Sequence, residues 1–311
     1  MADISELRRL VSAPPDAVEE ISCALCSGAD MRLLYAPLTP EGEVFPVVRC
    51  RRCGLVYVNP RRRQETLTAL YRASRYFQTS EEAASGYTDY ISDRELHLAF
   101  FRGQLERLEK RVGRGRLLEV GCATGFLLDE ARRRGWDVAG VELSEFASQY
   151  ARENLGLPVV TGTLKEAALP SAQFSAAILD DVIEHVGDPA GEIAELRRVL
   201  APGGVALFHT PNASSPWHRV MGRHWVHVKP GEHLYYFTPA TITALLEKQG
   251  FAVLYARPCG KPTHLAYIAG RVKRYNLRAG IALERLVSRL PFSRRPFPFR
   301  SGEMEMLAVR A

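Results

Sequence analysis

Four cysteines stand in two pairs, Cys23-x2-Cys26 and Cys50-x2-Cys53, in the contexts CALCSG and CRRCGL. A glycine follows each pair and lets the backbone turn its amides toward the sulfurs. Two such knuckles supply four thiolates in a tetrahedron, which suits structural Zn(II), and a closed four-sulfur shell leaves no position for a substrate. Disulfides belong to oxidising compartments, and the N-terminus MADISELRRL shows no charged-then-apolar secretion pattern. A single redox motif would need no second pair. Cys122 and Cys259 stand alone and read as small packing residues rather than nucleophiles.

A second chemical feature is LLEVGCATGFLL. Glu119-Val120 ends an apolar strand, and Gly121-Cys122-Ala123-Thr124-Gly125 turns tightly into a helix. Glycine belongs where a ligand approaches the backbone too closely for a Cβ. The first strand-to-helix turn of an α/β sheet, at the carboxyl ends of the strands, is where nucleotide-like ligands bind. The glycines here are four apart, so the dinucleotide pattern G-x-G-x-x-G is absent, as is a GK[ST] phosphate loop. An adenosine ligand without a pyrophosphate fits better. One strand later, Gly140-Val141-Glu142 ends on an acid that can accept both ribose hydroxyls.

Histidines supply the third feature. Six of the eight lie between residues 185 and 233: His185, His209, His218, His224, His227 and His233. His185, in IEHV after the fourth strand, and His209, ending the fifth, point toward the carboxyl-end crevice. His233, in GEHLYYF, can close the same pocket from a later loop. A base here would take the proton of an O- or N-acceptor, with Asp181 as a further candidate. The plainer reading is that Glu184-His185 caps and orients local backbone. His218, His224 and His227 are expected in a solvent-exposed or substrate-facing loop. No H-x-x-x-H pair sits on a clear helix, which weighs against a catalytic metal built from these side chains.

These groups need a frame. Hydrophobic residues at 46% and charged residues at 24% of 311 exclude disorder, collagen-like repeats and a disulfide mini-scaffold. No apolar run approaches the roughly 20 residues of a membrane span, and the expected location is cytoplasmic. Residues 1–60 read as the zinc ribbon, with VVRCRRCGLVYVNP a hairpin around the second knuckle. From 61 to 115 the period is helical: Leu67, Leu70 and Tyr71, then Leu98, Phe101, Leu105 and Leu108. Tyr71, Tyr76, Phe77, Tyr87 and Tyr90 crowd this stretch. Residues 116–311 alternate strand and helix, with strands expected at Arg116–Val120, Asp137–Glu142, Val159–Thr161, Ser175–Leu179 and Val205–Thr210. Intervening helices are expected at Leu127–Arg134, Glu145–Asn154 and Pro189–Leu200. Thr238-Pro239 opens a later helix that Gly250 closes, before strands at Phe251–Tyr255 and Met304–Val309. That pattern means a largely parallel sheet covered on both faces.

With these residues in place, the stretch from about Leu117 to Gly250 resembles the class I S-adenosylmethionine-dependent methyltransferases. The small-molecule branch related to the ubiquinone-biosynthesis O-methyltransferases is the nearest in pattern. LLEVGCATG, GVELS, FSAAILDDVIEHVGDP and LAPGGVALFHTPN carry the resemblance by their order and spacing. It implies a Rossmann-like seven-stranded sheet and S-adenosylmethionine as cofactor. By resemblance, Glu119, Gly121, Cys122, Ala123 and Gly125 surround the methionine part and ribose. Glu142 holds the ribose hydroxyls, and Leu143 lies under the adenine. Gly162, Thr163 and Leu164 flank the adenine edge, while Asp180 and Asp181 face the amino group and the transferring methyl. Cys122-Ala123 departs from the family, which often has a third glycine there. The four-cysteine ribbon followed by tyrosine-rich helices further resembles a bacterial subgroup acting on sugars, glycans and secondary metabolites. In that subgroup such helices cover the cofactor, which points to Tyr76 and Tyr87, in GYTDY, as a lid.

The net charge of +6 is local: residues 271–300 hold nine Lys/Arg against Glu284 alone, leaving the rest at −2. This basic segment lies in an insertion, about 259–302, between the last two strands. In it, RAGIALERLVSRLPF sets Ile281, Leu283, Leu286, Val287 and Leu290 near one helical face. It reads as a solvated helix packed on the core, a lid over an anionic or lipid-linked acceptor, a shallow membrane contact, or a phosphate-tracking RNA patch. The leading expectation is O-methylation of a sugar, glycan or natural-product hydroxyl. RNA base methylation with the ribbon presenting nucleic acid is the rival, and a cofactor-binding scaffold without catalysis is a third. Beyond Arg49, Arg51 and Arg52 the ribbon is not strongly basic and shows no stacking platform, which favours the small molecule.

Overall fold

Successive side chains along the central strands enter different layers, as the period of a buried strand requires. Leu118 packs with Ala177 and Leu179 on one face, and Leu117 with Ile178 and Leu207 on the other. The computed structural model describes residues 4–39, 41–72, 91, 94–272 and 277–311. The N-terminal part holds α1 (Ile4–Leu10), β1 (Val18–Glu19), β2 (Met31–Tyr35), β3 (Val47–Cys50), β4 (Val56–Val58), β5 (Arg61–Arg62) and α2 (Gln64–Arg72). After α3 (Arg94–Val112) come β6 (Arg116–Val120), α4 (Phe126–Arg133), β7 (Asp137–Glu142), α5 (Glu145–Leu155) and β8 (Val159–Thr161). There follow β9 (Phe174–Asp180), α6 (Pro189–Val199), β10 (Leu200–Pro211), α7 (Pro216–Met221), β11 (Tyr235–Tyr236) and α8 (Pro239–Lys248). The chain ends with β12 (Phe251–Thr263), α9 (Leu265–Val272), α10 (Leu277–Ser288) and β13 (Phe297–Arg310).

The main sheet has seven strands in the order β12-β13-β10-β9-β6-β7-β8. Pairing is parallel from β8 to β10, and β13 runs antiparallel to both neighbours. The order reverses at β6, so the turns after β6 and β9 open into a crevice at the carboxyl ends. α3, α4 and α5 cover one face, and Leu98, Phe101, Leu105 and Leu108 of α3 are buried as their spacing predicts. α6 and α8 cover the other through Ile193, Leu196, Ile242 and Leu245. Thr238 caps α8 in a capping box with Thr241, as the Thr-Pro start implies.

Two features differ from the sequence expectation. The ribbon sheet is not self-contained: its order is β11-β4-β3-β2, and β11 comes from a loop of the main domain. The insertion is no free excursion either. β12 and β13 both run on beyond their expected ends and stay paired, Lys261 with Phe299 and Thr263 with Phe297, so the arms form a ribbon tipped by α9 and α10. The lid candidates Tyr76 and Tyr87, with Phe77 and Tyr90, lie outside the described residues.

Candidate active site and metal centre

The four cysteine thiols come together. Cys23 Sγ lies 3.4 Å from Cys53 Sγ and Cys26 Sγ 3.5 Å from Cys50 Sγ, and all four sulfurs fall within 4.8 Å of one another. A Zn–S bond of about 2.3 Å gives tetrahedral S–S edges of about 3.8 Å, so the cluster has the size of a zinc shell. Both knuckles close on backbone bonds, Ser27 N–H to Cys23 O at 2.8 Å and Gly54 N–H to Cys50 O at 3.0 Å. Ser27 at φ 57° and Gly54 at φ 78° take the left-handed turn this requires. Burial raises the Cys23 thiol, whereas backbone amides of Cys53 and Arg52 and the neighbouring thiols overcome burial to lower Cys50. All six cysteines are free of disulfides.

At the carboxyl end of β6, the turn has the left-handed backbone expected of a close approach: Gly121 at φ 71°, Ala123 at 46° and Gly125 at 81°. A Cβ on Gly121 would meet Val182 Cγ2 at 2.5 Å, so the turn after β9 packs against it. Glu142 ties the turn to β7. Its Oε2 accepts from Ala123 N–H and its Oε1 from Ser144 N–H, each at 2.8 Å. Glu119 is buried, and its Oε2 has no hydrogen-bond partner among the described residues. Burial first, then Asp180 and Glu142, raises its carboxyl well above the ordinary value. A buried acceptor with nothing to accept from is costly unless a ligand supplies a donor. Cys122 offers the turn only backbone, because its thiol is buried against Gly140. Leu164 likewise sends its side chain into the core, and Thr163 N–H is already taken by Glu166 Oε2 at 2.8 Å. Leu143 is half-buried beside the Glu142 cap, and Gly162 at φ 143° begins the turn after β8.

Asp180 and Asp181 end β9 as expected, but they meet partners that the sequence did not expose. His209 Nδ1 lies 2.7 Å from Asp180 Oδ1 and 2.9 Å from Asp181 Oδ1. Lys261 Nζ, from the β12 arm, lies 2.6 Å from Asp181 Oδ2 and 3.2 Å from Asp180 Oδ1. Burial and Lys261 oppose charge on His209, yet the two carboxylates outweigh them and hold it well above its usual pKa. Burial would raise Asp181, but Lys261 and His209 hold it well below the carboxylate range, which makes it a weak base. Asp181 sits at φ 53°, a left-handed conformation that Asp tolerates better than most residues. Phe100 of α3 borders the group, edge-on to His209 and under Lys261. His97 on the same helix is pushed down to about 4 by burial and then by Lys261.

The other cluster joins His185 and His233, whose rings meet edge to face at 4.6 Å. His185 Nδ1 lies 3.1 Å from Glu232 O and 2.6 Å from Tyr71 Oη. When Nδ1 donates to Glu232 O the lone pair is on Nε2, and when Tyr71 Oη donates to Nδ1 the proton is on Nε2. Burial lowers the pKa of His185, and burial with His185, Lys229 and His227 lowers that of His233 well below the ordinary value. Glu184 does anchor local backbone, as the plainer reading held: its carbonyl accepts from Leu234 and Tyr235 N–H, and its Oε2 from Thr210 Oγ1 at 2.9 Å. His218 corrects the loop expectation. It is buried, bonded to Tyr35 Oη at 2.8 Å and Ala213 O at 2.7 Å, because α7 folds onto the ribbon sheet.

Lys261, Phe100, His97 and Tyr71 are the neighbours of these clusters that spacing did not reveal. Only Tyr71 had a foreshadowing, as one of the clustered aromatics that could line a pocket.

The comparisons with known proteins agree with this geometry. Residues 90–256, more than half of the chain, match the family model described as a methyltransferase domain. The chain belongs to that family, among the S-adenosylmethionine-dependent methyltransferases of the α/β class. It is 32% identical over 160 residues to the "Probable S-adenosylmethionine-dependent methyltransferase" of Mycolicibacterium smegmatis, covering 48% of this chain and 56% of the relative. It is 35% identical over 104 residues to a ubiquinone biosynthesis O-methyltransferase of Methylococcus capsulatus, covering 31% and 44%. The chain thus spans about half the length of the curated relatives it matches. The YcgJ protein of Bacillus subtilis shares the fold at a TM-score of 0.51 and 14% identity, over 69% of this chain and 99% of that one. No helix among the described residues is long and apolar enough to cross a membrane.

Proposed function

We propose that the protein transfers a methyl group from S-adenosylmethionine to a hydroxyl oxygen of a small molecule, a sugar, glycan or natural product, with structural zinc in its ribbon. The observation that carries this reading is the His185–His233 ring pair, both pushed toward the neutral form by burial, with His185 on the turn that follows Asp180 and Asp181 and His233 brought beside it from the loop before β11. The residues present fit the cofactor. Glu119 Oε2, a buried acceptor with no partner among the described residues, would take its ammonium, Glu142 would hold the ribose hydroxyls, and Gly121, Ala123 and Gly125 would leave room at the backbone. When bound, the cofactor supplies an electrophilic methyl on a sulfonium. Asp180 and Asp181, with His209 and Lys261 as their counter-charges, would line the crevice beside that cation. His185 would accept the acceptor proton as the oxygen attacks, through Nε2 when its Nδ1 donates to Glu232 O, with Tyr71 positioning the ring. His233 is the neighbouring second base. Asp181, held in its charged form, positions rather than deprotonates. The four cysteines match a Zn(II) shell in donor type, number and spacing.

Methyl transfer to a panel of sugars and phenols, followed by mass spectrometry, tests the reading. His185→Gln is expected to lower kcat by about 10²–10⁴-fold while the cofactor Kd stays within about threefold. Because burial lowers both histidine pKa values, the base form persists below the ordinary histidine range. The acid limb of kcat is therefore expected below about pH 6.5. Unchanged kcat in His185→Gln and His233→Gln would remove both bases from the mechanism.

Glu119 allows a separate check. Its raised pKa favours the protonated form of the empty carboxyl, and an arriving ammonium would displace that proton. Calorimetry in buffers of differing ionisation enthalpy is expected to show proton release on cofactor binding. Binding without proton release would say that Glu119 does not meet the cation.

A further inference from the structure

The tip of the insertion presents an outward face with an unusual composition. On α10 the spacing of Arg278, Arg285 and Arg289, seven and four residues apart, puts them on one stripe. Ile281 and Leu286 lie on its two margins, 36% and 60% exposed. The one acid of the segment, Glu284, turns the other way, toward Gly270 of α9. Val287 and Gly280 are buried, so this outward face is not the one that packs. The stripe continues into the following loop, where Phe292 is 53% exposed between Arg289 and the exposed Arg294 and Arg295. None of these five arginines forms an ion pair among the described residues. They lie within residues 271–300, outside which the chain sums to −2, so the charge is concentrated here.

We propose that this face docks on an anionic lipid bilayer. A row of arginines without an ion-pair partner among the described residues is attracted to a negative surface near the headgroups. Leu286 and Phe292 explain why the surface is lipid and not a polyanion alone. Large apolar side chains held out in water beside arginines gain by entering the acyl boundary, whereas a phosphate backbone offers them no such burial. The arms that carry the tip also carry Lys261, which touches Asp180 and Asp181, so a docked tip brings the crevice to the membrane surface. The inference rests on the face alone and stands whether or not the methyl acceptor is a hydroxyl.

Co-sedimentation of the full chain with vesicles of phosphatidylcholine alone, or of phosphatidylcholine with phosphatidylglycerol, tests it. Binding to the anionic vesicles is expected to be at least about tenfold tighter and to weaken as salt rises. Arg285→Gln/Arg289→Gln and, separately, Leu286→Ser/Phe292→Ser are each expected to weaken it about tenfold or more, with melting temperature and cofactor binding unchanged because all four side chains are exposed. Equal binding to the two vesicles, or none to either, overturns the proposal. So does anionic binding that Leu286→Ser/Phe292→Ser leaves intact and RNA homopolymer competes away, which would make the face a phosphate-tracking patch.

Discussion

Glu142→Ala is expected to weaken S-adenosylmethionine binding by about a hundredfold or more, to the point of loss in calorimetry. Two effects add at this one carboxylate. The ribose loses its charged acceptor, and hydrogen bonds to a charged group contribute about 1.5–3 kcal/mol. The turn also loses its tether, since Ala123 N–H and Ser144 N–H both end on Glu142 in a buried setting. Ala123 is held at φ 46°, a conformation that a non-glycine residue keeps only under external constraint. Glu142→Gln separates the two effects. Its amide keeps one acceptor oxygen and one tether but has no charge, so it is expected to bind between wild type and Glu142→Ala. The comparison is made on variants with wild-type circular dichroism. Normal binding by folded Glu142→Ala would mean that the cofactor sits elsewhere.

What the sequence disclosed follows the range of the interactions involved. β6, β7 and β8 start and stop where the sequence reading places them, because an apolar core run ends at glycine or a polar turn in each case. The four-cysteine cluster and the glycine turn were equally plain, since each is written in spacings of a few residues. β12 and β13 were read too short. Their outer arms, RPCGKPT and FPFR, are rich in proline and lack alternation, and it is mutual pairing rather than propensity that keeps them extended. Lys261 was missed for a related reason: a lone lysine has no pattern, and its partner Asp181 is 80 residues away in the chain. His218 was expected in a solvent-exposed or substrate-facing loop, because no periodicity in its segment marks a buried face. The fold buries it by giving it Tyr35 from the ribbon, a contact across 183 residues. The pairing of Tyr235 and Tyr236 with the ribbon was equally hidden, although it decides where His233 stands.

That pairing makes the zinc ribbon consequential for the chemistry. His233 immediately precedes Leu234, whose carbonyl accepts from Val58 N–H at 2.9 Å, and Tyr235 and Tyr236 pair with Tyr57 and Val56. Tyr57 lies on the strand after the second knuckle, packed in the same cluster as Cys23 and Cys50. The four thiolates therefore fix β3 and β4, β4 fixes β11, and β11 fixes His233 and, through Leu234 N–H, the carbonyl of Glu184 beside His185. Structural zinc contributes folding free energy outright, and its loss leaves a small ribbon without a sufficient core. Cys50→Ser is expected to purify without zinc and to lose its first thermal transition. Its kcat is expected to fall by about a hundredfold or more, the effect of displacing a reacting group by about 1 Å. The cofactor turn lies on β6 and β7, away from the ribbon pairing, so the Kd for S-adenosylmethionine is expected to stay within about threefold of wild type. A strong chelator should reproduce the loss of kcat in the wild-type protein, and added zinc should restore it there but not in Cys50→Ser. Zinc-free protein that turns over at the wild-type rate would show that β11 holds its place without the metal. Parallel loss of cofactor affinity would instead mean that the ribbon supports the whole domain and not the histidine pair in particular.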